Sequence, residues 1–194
     1  MKRTFQWMAF VVAIAAMMIA CGQQTDGTGN IEGLWGKGKI SSKNGDIELI
    51  IRFTPDETDT TKGEFAMWYD GTWNDEDDAG KFSQGFSVSV PGTYQIDGDE
   101  LVLTYNSDEV GVKLDQDDVL AHSQALQDAG EEGSVEAIAE DFKEMFSGFL
   151  GDSFKDMFKS RNNGENVYGF AVKDGKLTLS TSDVDNVVLT KIEQ

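Results

Sequence analysis

One histidine, one cysteine and 35 carboxylates are the side chains with which this 194-residue chain could do chemistry. His122 directly precedes Ser123. A nucleophile and its base must share a face, and neighbours on a helix do not, so the pair is no catalytic dyad and His122 is expected at the surface. Paired carboxylates could run glycoside hydrolysis, but with 35 acids every spacing occurs and none is informative. Asn74-Asp75-Glu76-Asp77-Asp78 clusters oxygens of the kind that suit calcium. It lacks the alternate ligand spacing and the glycine of an EF-hand, so a solvated loop tip is expected. Gly36-Lys37-Gly38 does not open a helix, and no Gly-x-x-x-x-Gly-Lys-Ser/Thr loop occurs. The single Cys21 excludes intrachain disulfides and cysteine-rich zinc sites. These residues assign no catalytic group, no cofactor and no metal, and the chain is expected not to be an enzyme.

Composition narrows the partners. A net charge of −19 repels phosphate backbones and anionic headgroups, so a nucleic-acid partner is not expected. At 39% hydrophobic and 10% aromatic, the chain is apolar enough to bury one sizeable core.

Lys2 and Arg3 precede an uncharged apolar run, Trp7 to Ala20, that is too short to span a bilayer comfortably. A positive start, a short apolar stretch and small residues before a cut describe a secretory signal over residues 1–20. Met18-Ile19-Ala20-Cys21-Gly22 resembles a bacterial lipobox. The resemblance implies that Cys21 is acylated, becomes the first mature residue and tethers the protein to a membrane. Each buried methylene adds about 0.8 kcal/mol to such an anchor. Gly22 stands where an inner-membrane retention signal would carry aspartate, so the resemblance implies the outer membrane, with the face left open. From Cys21 on, 14 basic against 35 acidic side chains give a charge of −21. Residues 22–30 carry no aliphatic or aromatic side chain and read as a flexible linker reaching roughly 15–18 Å.

From residue 31 the pattern turns to short period-two runs between Gly, Asn and Asp. In Asp46 to Thr54, Ile47, Leu49, Ile51 and Phe53 share one face. Phe86 to Val90 alternates likewise, and Pro91-Gly92 is expected to bend or end the run. Asp97-Gly98-Asp99 and Lys173-Asp174-Gly175 read as hairpin turns between flanking strands. About eight or nine strands with short local turns favour a mostly β fold, an up-and-down antiparallel barrel spanning 31–194. Residues 115–160 interrupt it as a helical insertion. Asp115 or Asp117 caps a first helix to about Ala129, and Ser134 caps a second. Gly151-Asp152-Ser153 is expected to stop that helix before a last short turn. The insertion carries eight acids and three lysines from Glu131 to Ser160, against a role on anionic lipid.

Gly33-Leu34-Trp35 resembles the Gly-x-Trp signature of the lipocalin superfamily. Gly92-Thr93-Tyr94-x-Ile96-x-Gly98-x-x-Leu101-x-Leu103 is similar to a hairpin of bacterial lipocalin-like lipoproteins. The resemblance covers about residues 31–114 and 166–193. It implies that Trp35 closes the bottom of the barrel with Lys191 as the cation packed over it. It also implies that the interior receives a small apolar or amphipathic ligand, without catalysis. Trp68, Tyr94, Tyr105, Phe142, Phe146 and Phe149 are the expected ligand-facing residues. The alternative is a filled barrel, serving as an interaction or assembly module for a protein partner of the cell envelope.

Overall fold

The computed structural model describes residues 29–193 apart from 43, 78, 160–164, 182 and 183. The expected signal segment 1–20, the Cys21 lipidation site and linker residues 22–28 lie outside the described residues. The period-two runs form β1 (Gly33–Ser42), β2 (Gly45–Pro55), β3 (Lys62–Asp77), β4 (Gly80–Asp97), β5 (Glu100–Tyr105) and β6 (Gly111–Leu114) before the insertion. After it come β7 (Glu165–Lys173), β8 (Lys176–Thr181) and β9 (Val184–Lys191). Eight of these close into an antiparallel barrel in the order β1-β2-β3-β4-β5-β7-β8-β9, sealed by Trp35↔Lys191 and Gly36↔Thr190. Closure leaves no free edge in the ring, and the arrangement is compatible with a lipocalin-like fold. β6 pairs with β4 from Phe86↔Leu114 to Ser89↔Gly111, end to end with β5 on the same edge.

Alternation decides what faces in. Ile47, Leu49, Ile51 and Phe53 of β2 are all buried, as are Phe65, Met67, Tyr69 and Trp73 of β3. β4 continues through Pro91 to Asp97, so the run does not end at Pro91-Gly92. Asn106 N donates to Pro91 O at 2.9 Å, and the missing Pro91 N–H faces that same edge. There the chain leaves the ladder through a 3₁₀ turn (Ser107–Glu109) between β5 and β6. The proline therefore forfeits no ladder bond. Asn74 to Asp77 is also not a loop tip. It extends β3, pairing from Asn74↔Ser83 to Asp77↔Gly80, because β4 is long enough to match it.

Two helices follow β6: α1 (Gln116–Asp128) and α2 (Val135–Lys159). The Asp115 carboxylate accepts from the N–H groups of Asp117 and Asp118 at 2.9 and 3.2 Å, a cap that contributes about 1 kcal/mol. At the start of α2, Ser134 Oγ accepts from Ala137 N at 3.3 Å. α2 does not stop at Gly151 but continues to Lys159. A helical glycine costs about 1 kcal/mol, whereas burying a phenylalanine contributes about 1.5–3 kcal/mol, and two of them, Phe154 and Phe158, lie beyond it.

The buried residues Ile138, Phe142, Phe146, Leu150, Phe154 and Phe158 recur every four positions. Four residues overshoot one turn by roughly 40°, so this stripe winds round the helix and sets Phe142 and Phe158 about 160° apart. One end of α2 therefore faces α1 and the β3–β4 hairpin, and the other faces the barrel. Strand order puts both helices and the β3–β4 turn at one end of the barrel. Residues 29–32, the turns after β2, β4 and β7, and the exit of β9 gather at the other.

Candidate functional site

Trp35 is fully buried where the chain enters the barrel, and its Nε1 donates to Ile31 O at 2.6 Å. That bond folds residues 29–32 under the barrel floor. Lys191 Nζ, opposite Trp35 in the β1–β9 ladder, stands 5.4 Å from the indole centroid. A contact of this kind contributes about 0.5–1 kcal/mol.

Above the floor, aromatic rings succeed one another along the lumen. Phe158 of α2 lies 4.4 Å from Tyr105, which meets Phe65 edge-on at 5.3 Å. Phe65 adjoins Phe53 at 6.2 Å, and Phe53 meets the edge of Tyr94 at 5.4 Å. Beside this column Phe154 packs on Tyr69 at 5.0 Å, and the hydroxyls of Tyr105 and Tyr168 share a hydrogen bond at 3.4 Å. The C-terminal half of α2 is thus part of the barrel core.

The six expected ligand-facing residues do not meet in one chamber. Tyr105 and Tyr94 point inward, at opposite ends of the run of wall rings. Phe142 and Phe146 stack on each other at 5.5 Å in the cap, and Phe149 is half-buried. Trp68 lies on the outer wall, half-buried, with the Arg52 guanidinium 5.5 Å from its centroid. Its neighbour Tyr69 takes the inward place; alternation required the pair to split but did not say which faced inward.

His122 is not a surface residue. It is only 6% exposed, stacked on Phe82 at 4.0 Å and met edge-on by Phe142 at 4.9 Å. Nε2 lies 3.3 Å from Asp77 Oδ2 at the end of β3. Burial pulls the imidazole below its ordinary pKa, and the Asp77 carboxylate opposes this only in part. Gln84, also fully buried, was not singled out by sequence. Its Nε2 donates to Gly85 O and Asp115 O at 2.7 and 3.1 Å, while Gly85 N donates to Asp118 Oδ2 at 2.8 Å. Together these tie the start of α1 to β4.

At the end opposite the helices there is a cavity of about 360 Å³. Its apolar wall is Ile31, Pro55 and Ile96, and its polar rim includes Asn30, Glu32 and Thr61. The loop after β2 is shaped by two side-chain turns. Asp56 accepts from Thr58 N and Oγ1 at 2.8 and 2.6 Å, and Asp59 accepts from Thr61 N and Oγ1 at 3.1 and 2.6 Å. Those donors hold both carboxyls below their usual pKa. Tyr94 shares the inward face of Ile96, one step deeper, with its ring edge against Gly63. The phenol is 2% exposed, and its hydroxyl has no hydrogen-bond partner. Burial, then the charges of Glu32 and Asp59, push its pKa up. None of the six expected residues lines this cavity; Tyr94 lies one inward position deeper than Ile96, which does. The cavity itself was not visible in the sequence, because its walls come from segments far apart along the chain.

Among the described residues, no cluster of three or more His, Cys, Asp or Glu is placed to hold a metal ion. Among the same residues, no helix is long and apolar enough to cross a membrane. Compared with family models, curated proteins and solved structures, the chain matches none of them.

Proposed function

We propose that this protein is a lipocalin-like lipoprotein of the bacterial envelope, tethered through acylated Cys21 to the outer membrane, that holds a small amphipathic ligand without catalysis. The observation that carries the ligand reading is the cavity of about 360 Å³ walled by Ile31, Pro55 and Ile96 and rimmed by Asn30, Glu32 and Thr61. Its volume falls within the range of small-molecule sites, and an apolar wall with a few polar groups is the usual composition of one. On this reading the ligand lies at the end of the barrel where β1 begins and β9 ends, and not under the helical cap. Native mass spectrometry of the full chain, extracted in gentle detergent, is expected to show a bound small molecule. Ile96→Trp, which fills the cavity, should strip it off. Purification only as the bare chain would refute the reading.

A second reading is favoured by the aromatic column from Phe158 to Tyr94, which packs the lumen with the protein's own side chains. On that reading the barrel is a filled scaffold, and the cap, where Met145 is 59% exposed, contacts another envelope protein. Crosslinking from position 145 in cells separates the two, since a carrier would give no discrete adduct. Tethering is tested by palmitate labelling, which Cys21→Ser should abolish.

A further inference from the structure

The single histidine of the chain is buried at the junction of three elements. Phe82 of β4 stacks on the His122 ring at 4.0 Å, and Phe142 of α2 meets the ring edge-on at 4.9 Å. Phe142 also meets Phe82 edge-on at 6.1 Å, which closes the cluster. From β3, Asp77 Oδ2 comes within 3.3 Å of Nε2. The other charged groups around the cluster are turned elsewhere. Asp118, one turn back on α1, accepts from Gly85 N, and Asp75, opposite Phe82, accepts from Glu76 N. Lys143 of α2 pairs with Glu140 at 2.8 Å, and Lys81 beside Phe82 is exposed.

This cluster lies between two other ties. The start of α1 is held to β4 through Gln84 and Gly85, and the far half of α2 is held in the barrel by Phe154 on Tyr69 and Phe158 on Tyr105. We infer that His122 is a proton-operated latch. Neutral, it clamps the rest of α1 and the first three turns of α2 onto the β3–β4 hairpin; charged, it releases them while the barrel and the far half of α2 stay folded. An imidazolium between two phenyl rings loses most of its hydration, and one carboxylate, itself 18% exposed, replaces that only in part. In the released cap the ring returns to water and to an ordinary pKa near 6.5. The released state therefore takes up the proton more readily, and its share rises as pH falls below 6.5, by at most about tenfold per pH unit. Release uncovers the facing sides of Phe82 and Phe142. The latch is independent of the cavity at the other end of the barrel.

The test is hydrogen exchange read by mass spectrometry on the full chain in gentle detergent at pH 7.5 and 5.5, with rates corrected for the intrinsic pH dependence of exchange. On going to pH 5.5, protection over 119–128 and 135–146 should fall about five- to tenfold, with no comparable change over 149–159 or in β2. His122→Phe keeps the ring cluster and should remove the effect. His122→Gln should remove it too, and serves if a phenyl ring does not fit beside Asp77. Asp77→Asn should leave the cap closed at pH 7.5 and make the acid release at least as large, because the carboxylate that supports the imidazolium is gone. Protection that rises at pH 5.5, or a cap already open at pH 7.5 in Asp77→Asn, would show that an ion pair does the clamping and would overturn the inference. Unchanged protection, or an acid effect that survives in both His122 variants, overturns it likewise. So does an equal loss in β2, which marks unfolding of the whole domain.

Discussion

Phe158→Ala separates a cap that is core from a cap that is a lid. The ring is 3% exposed and packs against Tyr105 at 4.4 Å, and Tyr105 continues through Phe65 towards the floor. Truncating a phenylalanine so placed costs about 3–5 kcal/mol, because the aligned wall rings cannot collapse into the space it leaves. Against a total of roughly 5–15 kcal/mol, that is a large fraction of the stability of the whole domain. The assay follows from where the reporters sit. Trp35, Trp68 and Trp73 lie on β1 and β3, so their fluorescence follows the barrel, whereas ellipticity at 222 nm is dominated by α1 and α2. In urea, wild type and Phe158→Ala should each show the two signals falling together, with the mutant midpoint shifted down. A double cycle with Tyr105→Ala should return a coupling of about 0.5–1.5 kcal/mol beyond area burial. A helical signal lost at low urea, with the tryptophan transition left in place, would show that α2 docks on a barrel that folds without it. That result would refute the reasoning.

Other consequences are smaller and independent. His122 has a folded-state pKa below its unfolded value near 6.5. Its contribution is therefore complete above that pH and lost as pH falls towards the folded pKa; urea midpoints should drop on going below pH 6.5, and His122→Phe should flatten the drop in that window. Asp115→Ala should cost about 1 kcal/mol in urea unfolding, by leaving the N–H groups of Asp117 and Asp118 uncapped. Trp35→Phe keeps the ring but leaves the buried Ile31 oxygen without its donor, for a loss of about 1–3 kcal/mol by the same measurement. Hydrogen exchange should quicken first in residues 31–34.

The barrel was legible because its strands are half-buried on a period of two: in Asp46 to Thr54 the odd positions are apolar and all of them turn inward. What escaped was whatever depended on a partner strand or helix. Pro91 reads as a stop until the chain after β5 is seen to leave the ladder on the side of its missing N–H. Gly151 reads as a helix end until the rings beyond it are seen to need the barrel interior. His122 looked exposed because its own helix is polar around it, and the rings that enclose it come from β4 and α2. The cavity escaped for a related reason: Glu32, Thr61 and Ile96 belong to three segments that meet only when the barrel closes.

The position of the chain ends links the fold to the proposed tether. β1 begins and β9 ends at the end of the barrel that carries the cavity, and the helices cover the opposite end. An anchor at Cys21 attached through residues 22–28 would therefore turn the cavity towards the lipid and the cap away from it. Glu32, Asp56 and Asp59 sit on the lipid-facing end in that orientation, and at short range they repel anionic headgroups while drawing cations into the gap. On the proposed reading, a membrane-facing cavity with an aliphatic wall would meet amphipathic molecules where the interface concentrates them. The same geometry gives the cap a separate role, since a surface directed away from the bilayer is the one a second envelope protein could reach. Cysteines placed singly at positions 57 and 145 of the Cys21-anchored chain distinguish the ends. In vesicles with lipid-phase quenchers, a fluorophore at 57 should be quenched and one at 145 should not. The reverse pattern would overturn the orientation and, with it, the argument that ligand enters from the membrane side.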